Sequence, residues 1–167
     1  MGSKALSETI GLTRKEEIVA SFDDVLSHPW ESVELSLKGV SEEEALYQHP
    51  AYSREEREAG YPLSGSVFWH VVHLAHCYLC YADIIRSRPT RHAEPPPPEA
   101  ENFQEGIANL KLCRADLRES ISDLTEDQFD EKIYDGRTVS GLIRMIIRHD
   151  AWHGGQIAVA KRLYRMR

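Results

Sequence analysis

The chain has 167 residues, 41% hydrophobic and 28% charged, with a formal net charge of -7, which fits one water-soluble globular domain large enough to bury a core without covalent staples. Lys and Arg are scattered among carboxylates and form no basic run, which argues against a nucleic-acid partner; no apolar run approaches a membrane span and no signal peptide is legible, so a cytoplasmic protein without a membrane partner is expected. Its three cysteines are an odd count, and Cys77 and Cys80 fall within one helical turn, where a disulfide is geometrically poor, so reduced thiols are expected.

Residues 1–12 carry no strong pattern and are expected to be a flexible terminus, leaving 13–167 as one domain. From Thr13, with Glu16 three residues on, Ile18, Phe22, Val25, Leu26, Val33 and Leu37 recur at helical spacing. Pro29 interrupts the run, so a kink or a break into two shorter helices is expected there. Ser41-Glu42-Glu43-Glu44 caps a short helical turn within a long connection over 40–63.

The second long helix is expected over about 64–87 and is apolar almost all round, as suits a helix inside a bundle. Pro89 and the tetrad Pro95-Pro96-Pro97-Pro98 exclude helix from the next twelve residues. At about 3.1 Å each, these could span nearly the length of the second helix and let the third run parallel to it. The third helix, about 100–121, places Phe103, Ile107, Leu110, Leu117 and Ile121 on one face. After a polar connector with a turn at Asp135-Gly136, Thr138 caps a fourth helix reaching about Tyr164, with Lys161, Arg162 and Arg165 near its C-terminus. No period-two alternation is long enough for a sheet, so the fold expected is all-α, a four-helix bundle with a long proline-rich crossover between helices two and three.

The fourth helix carries the most specific stretch, Arg148-His149-Asp150-Ala151-Trp152-His153-Gly154-Gly155-Gln156-Ile157. His149 and His153 lie one turn apart, separated by about 40° around the axis. They share their face with Leu142, Ile146, Ala160 and Tyr164, opposite Arg144, Arg148, Gly155 and Arg162, so both imidazoles point toward the core. A buried imidazole without hydrogen bonds costs on the order of 1 to 3 kcal/mol. One divalent cation would satisfy both rings; the alternative is a packed, hydrogen-bonded pair.

The second helix holds His70, His73 and His76, with about 60° between neighbours, so the three cannot all face one point. His73 is the best placed to complete a three-histidine site with His149 and His153. His70 and His76 are expected to be structural, or else to line the site. Three neutral imidazoles leave a bound ion its full charge, which lowers the pKa of a water or thiol in a remaining position. Trp69, Trp152 and Gln156 are candidates to line the pocket. Asp150, the nearest carboxylate, sits about 100° from His149 and is expected to support the site or face solvent. Cys77 and Cys80 resemble a CxxC redox or metal pair but inside an apolar helix are expected as small core residues, Cys113 has no identifiable partner, and Gly154-Gly155 in mid-helix suggests a close approach by a neighbouring helix or a ligand.

These residues bear a resemblance to a known family. Trp69 to His76, Leu37 to Glu44, and Thr138-Val139 through His149-Asp150-Ala151-Trp152-His153-Gly154-Gly155-Gln156-Ile157 resemble the DinB/YfiT superfamily, in which one histidine of the second helix joins two from the fourth. The resemblance implies a four-helix bundle with a parallel crossover and metal ligands at His73, His149 and His153. It also implies bound nickel or zinc, a homodimer, and thiol-dependent transfer or isomerisation using a low-molecular-weight thiol and a small-molecule substrate. Two other readings stand beside it: a metal-dependent hydrolase of small esters or amides, and a non-catalytic metal-binding stress-response module.

Overall fold

The computed structural model describes residues 12–29, 32–50 and 64–167. The expected loose terminus up to residue 11 and the stretch 51–63 of the long connection lie outside the described residues. Those that are described form helices and no strand, with one isolated antiparallel bridge between Lys132 and Thr138.

Helix α1 spans Arg14–Ser27 and opens on a capping box: the Thr13 hydroxyl accepts from the Glu16 amide at 3.2 Å, and the Glu16 carboxylate accepts from the Thr13 amide at 2.8 Å. Ile18, Phe22 and Leu26 recur every four residues and are buried on one face. The helix ends at His28, before Pro29, and a separate short helix α2 covers Val33–Leu37. Pro29 therefore marks a break, because the residue before a proline is pushed out of helical conformation. Helix α3, Glu42–Leu46, comes after Gly39, whose φ of 71° suits a residue without a Cβ.

Helix α4 covers Val67–Ser87, α5 Phe103–Ser122 and α6 Val139–Arg165. Ser66, Asn102 and Thr138 cap them by accepting from the third amide along. Between α5 and α6 a 3-10 turn, Asp127–Asp130, buries Phe129, and Gly136 takes φ 85° in the expected turn. The central core joins Phe22 and Leu26 of α1, Leu74, Tyr78 and Ile85 of α4, Leu117 and Ile121 of α5, and Leu142, Ile143, Ile146 and Ile157 of α6.

Polar contacts at the rim set how the helices meet. Arg118 of α5 pairs with Asp23 of α1 at 2.7 Å, and Arg86 of α4 with Asp116 of α5 at 2.6 Å. Arg165 of α6 reaches the buried Glu44 of α3 at 2.9 Å. Lys161 donates to the carbonyls of Ser36 and Lys38 at 2.7 and 3.0 Å, satisfying acceptors at the end of α2. Near the start of α5, Gly106 lies so close to α4 that a Cβ there would stand 3.2 Å from the Phe68 ring and 3.3 Å from Val71.

Candidate metal centre

The cluster forms where α4 presents Trp69, His70, His73 and Cys77 to the face of α6 that carries His149 and His153. On α6 the pair keeps the spacing of one turn, with ring centroids 4.4 Å apart and their Nε2 atoms 3.0 Å apart. Two nitrogens bound to one cation at about 2.0 to 2.1 Å are about 2.8 to 3.4 Å apart for angles between 90° and tetrahedral. The pair is thus already at chelating separation. The His73 ring centroid lies 5.5 Å from that of His149 and 4.9 Å from that of His153. Trp69 stacks on His73 with centroids 4.8 Å apart and planes 5° from parallel, which holds the ring's orientation.

His70, expected to be structural or else to line the site, lies beside the α6 pair. It is buried, and its Nδ1 lies 2.8 Å from Nδ1 of His153. Three rings therefore form a chain, His70 to His153 to His149, in which each contact needs one proton and one lone pair. Whichever way the protons run, the outer atoms, Nε2 of His70 and Nδ1 of His149, are buried without a partner among the described residues. A cation between the facing Nε2 atoms would require lone pairs on both. The proton of His153 would then sit on Nδ1, pointed at His70. The donor set fits such an ion.

Burial keeps these rings neutral. His153 is driven down to about 2, first by desolvation and then by His149, His70 and His73. His70 is lowered to about 4 by desolvation and by His73. His73 is lowered by desolvation, His149 and His76, and His149 by desolvation. Neutral imidazole is the form that ligates.

A sulfur completes the surroundings. Cys77 Sγ is 3.5 Å from His73 Nε2, and ligand atoms of His73, Cys77 and His149 all lie within 4.8 Å of one another. Cys77 is half-buried against these rings and is more than the small core residue expected. Burial, and after it Cys80, pushes its thiol up to about 12. Its signal was legible as spacing alone: His73 and Cys77 are one helical turn apart.

The remaining candidates separate. Asp150 is fully buried and does not join the cluster; it lines a cavity of about 560 Å³ with Ser21, Ser32, Val33 and Gly154, which includes none of the clustered histidines. Desolvation raises it to about 8, against the opposing influence of Tyr78 and Arg114. The Tyr78 hydroxyl is nearby, but neither group makes a hydrogen bond among the described residues. Trp152 is 58% exposed and meets the His153 ring edge-on at 4.7 Å, at the rim of the cluster. His76 turns away to the Pro95 carbonyl, 2.8 Å from its Nε2. Gln156 is half-buried and joins none of the cluster's contacts among the described residues. Gly154 packs on Val33 of α2, where a Cβ would find ordinary contact at 3.7 Å, whereas Gly155 faces open space.

A family model described as the DinB superfamily matches residues 26–157, well over half of the chain and all of the clustered histidines. No curated protein and no solved structure matches the chain.

Proposed function

The chain belongs to the DinB superfamily, and from that premise we propose that His73, His149 and His153 hold a divalent zinc or nickel ion which activates a low-molecular-weight thiol toward a small electrophilic substrate. The observation that carries this reading is the 3.0 Å separation of the His149 and His153 Nε2 atoms, with a third neutral imidazole from α4 beside them. When bound, such an ion supplies a Lewis acid that lowers the pKa of a thiol or water sharing its site. The thiolate is the nucleophilic form of the cofactor.

The protein's own groups divide the remaining work. His70 accepts the Nδ1 proton of His153 and so keeps the Nε2 lone pair directed at the ion. Trp69 fixes His73 by stacking. His73 and His149 are only partly buried, which leaves a small solute a route to them, and Trp152 offers apolar surface at that rim. Cys77 Sγ, 3.5 Å from His73 Nε2, supports the thiol reading over hydrolysis because sulfur is already accommodated beside the ligand atoms.

The family's topology belongs to the same proposal: α1, α4, α5 and α6 as the four helices of a bundle spanning 13–167, with residues 88–102 crossing over so that α5 runs parallel to α4. The approach of Gly106 to Phe68 and the pairing of Arg86 with Asp116 support that direction. A homodimer in the cytoplasm completes the reading.

Elemental analysis of the purified wild type and of His73→Ala, His149→Ala and His153→Ala tests the site. Metal content should fall by most of one ion per chain in each variant relative to the wild type, since loss of one ligand from three weakens binding by at least tenfold; content equal to that of the wild type in any variant would remove that residue from the ligand set. Turnover of a chlorodinitrobenzene-type electrophile with a panel of thiols tests the chemistry. Thiol-independent ester cleavage would replace transfer by hydrolysis, and inactivity in both assays would favour a binding module.

A further inference from the structure

Outside the histidine cluster, a second group of ligating atoms converges where α4 meets the connection to α5. Ligand atoms of His76, Cys80 and Glu94 all lie within 4.8 Å of one another. His76 and Cys80 are one turn apart on α4, about 40° around the axis, so they project together. Glu94 arrives from the connection, with a carboxylate oxygen 3.5 Å from His76 Nε2 and 3.9 Å from Cys80 Sγ.

The connection brings Glu94 there because it is laid against the helix at several points. His92 lies 3.5 Å from Asp83, Glu94 meets Cys80 and His76, and the Pro95 carbonyl meets His76 at 2.8 Å. Residue numbers rise along the connection as they fall along α4, so the segment runs back antiparallel to the helix. Pro95 to Pro98 stiffen the rest of the connection, and Asn109 of α5 donates to the Glu99 carbonyl at 2.8 Å, holding the far end.

We propose that His76, Cys80 and Glu94 form a second divalent-cation site, of zinc type, that fastens the proline-rich connection to α4. An imidazole nitrogen, a thiolate and a carboxylate oxygen are a mixed N, S and O set. Zinc and cobalt accept such a set, whereas magnesium and calcium prefer oxygen alone. Two anionic ligands balance the charge of the ion. On loading, the Cys80 thiol proton leaves to solvent and His76 exchanges its contact with Pro95 for the ion. Glu94 is 66% exposed at its side chain and His76 21%, so the ion enters from solvent without opening the core.

The site shares no residue with the histidine cluster, and cobalt(II) distinguishes the two. Thiolate ligation gives an intense near-ultraviolet charge-transfer absorption that imidazole ligation lacks. In the full-length Cys77→Ser chain, which keeps no thiol at the first site, cobalt should still produce the sulfur band. It should vanish in Cys77→Ser/Cys80→Ser, and Glu94→Gln should weaken the cobalt affinity read from it by at least about tenfold. Zinc content of the wild type should fall by one ion per chain in Cys80→Ser, with circular dichroism unchanged. Absence of the band in Cys77→Ser, its persistence without Cys80, or zinc content indifferent to Cys80→Ser would each overturn the proposal. An empty histidine cluster would leave these readouts intact, so failure of the proposed function is seen separately.

Discussion

The two nitrogens of His153 face in opposite directions, Nε2 toward His149 at 3.0 Å and Nδ1 toward His70 at 2.8 Å. On the proposed function that division would make His70 a positioning residue, since an acceptor at Nδ1 selects the tautomer whose Nε2 lone pair is free for an ion. His70→Gln keeps a hydrogen-bonding group there and His70→Leu removes it. Competition with a chelator should show metal affinity reduced about 10- to 100-fold in the leucine variant and substantially restored in the glutamine variant. Equal affinities for the two would reduce His70 to packing. The three proposed ligands were legible from residue type and spacing, whereas the role of His70 was not, because a period of three places it about 60° from His73 and says nothing about what α6 brings to meet it. Asp150 escaped for the same reason, its burial coming from the elements packed against α6, whereas helical spacing already put Cys77 beside His73 and the opposing helix adds only His149.

At the scale of the element, the caps and breaks could be read directly. Thr13, Ser41 and Thr138 begin helices where their hydroxyls satisfy first-turn amides, and Pro29 separates α1 from α2. Mid-helix glycines divide by what surrounds them. Gly155 faces open space, so Gly155→Ala should stabilise the protein by about 1 kcal/mol through helix propensity alone. Gly106 instead lets α5 approach Phe68 and Val71, and Gly106→Val should cost about 1 to 3 kcal/mol by forcing that interface apart. Chemical denaturation of both variants checks the pair; two shifts of the same sign would refute the packing account. From sequence, Gly154 and Gly155 looked alike, and only the position of Val33 against Gly154 separates them.

For the whole molecule, opposing proton linkages bound the pH range of stability. Unfolded histidines take up protons near 6.5, but folded His70 and His153 do so only near 4 and 2. Below pH 6.5 the unfolded state therefore binds more protons, and stability falls as acid is added. Asp150 acts in the other direction: unfolded it loses its proton near 3.8, folded near 8, so its contribution declines as pH rises between those values. The metal-free protein should be most stable near pH 6.5, where the half-protonated unfolded histidines and the proton kept by folded Asp150 cancel. Asp150→Asn should flatten the alkaline decline and leave the acid one, a difference of several degrees in thermal midpoint. An unchanged alkaline limb would reject the assignment. Added zinc should raise the midpoint in proportion to the logarithm of its free concentration once the site is saturated.

Local chemistry by itself determined where helices start and stop, which faces are apolar, and that His73, His149 and His153 are the residues to watch, because capping and helical periodicity depend only on near neighbours. Tertiary structure alone decided that His70 meets His153, that His149 comes beside His73 and Cys77, that Asp150 is buried outside the histidine contacts, and that Glu94 meets His76 and Cys80. Each of those contacts joins segments far apart along the chain or depends on how helices are rotated against one another, and no local spacing encodes that rotation.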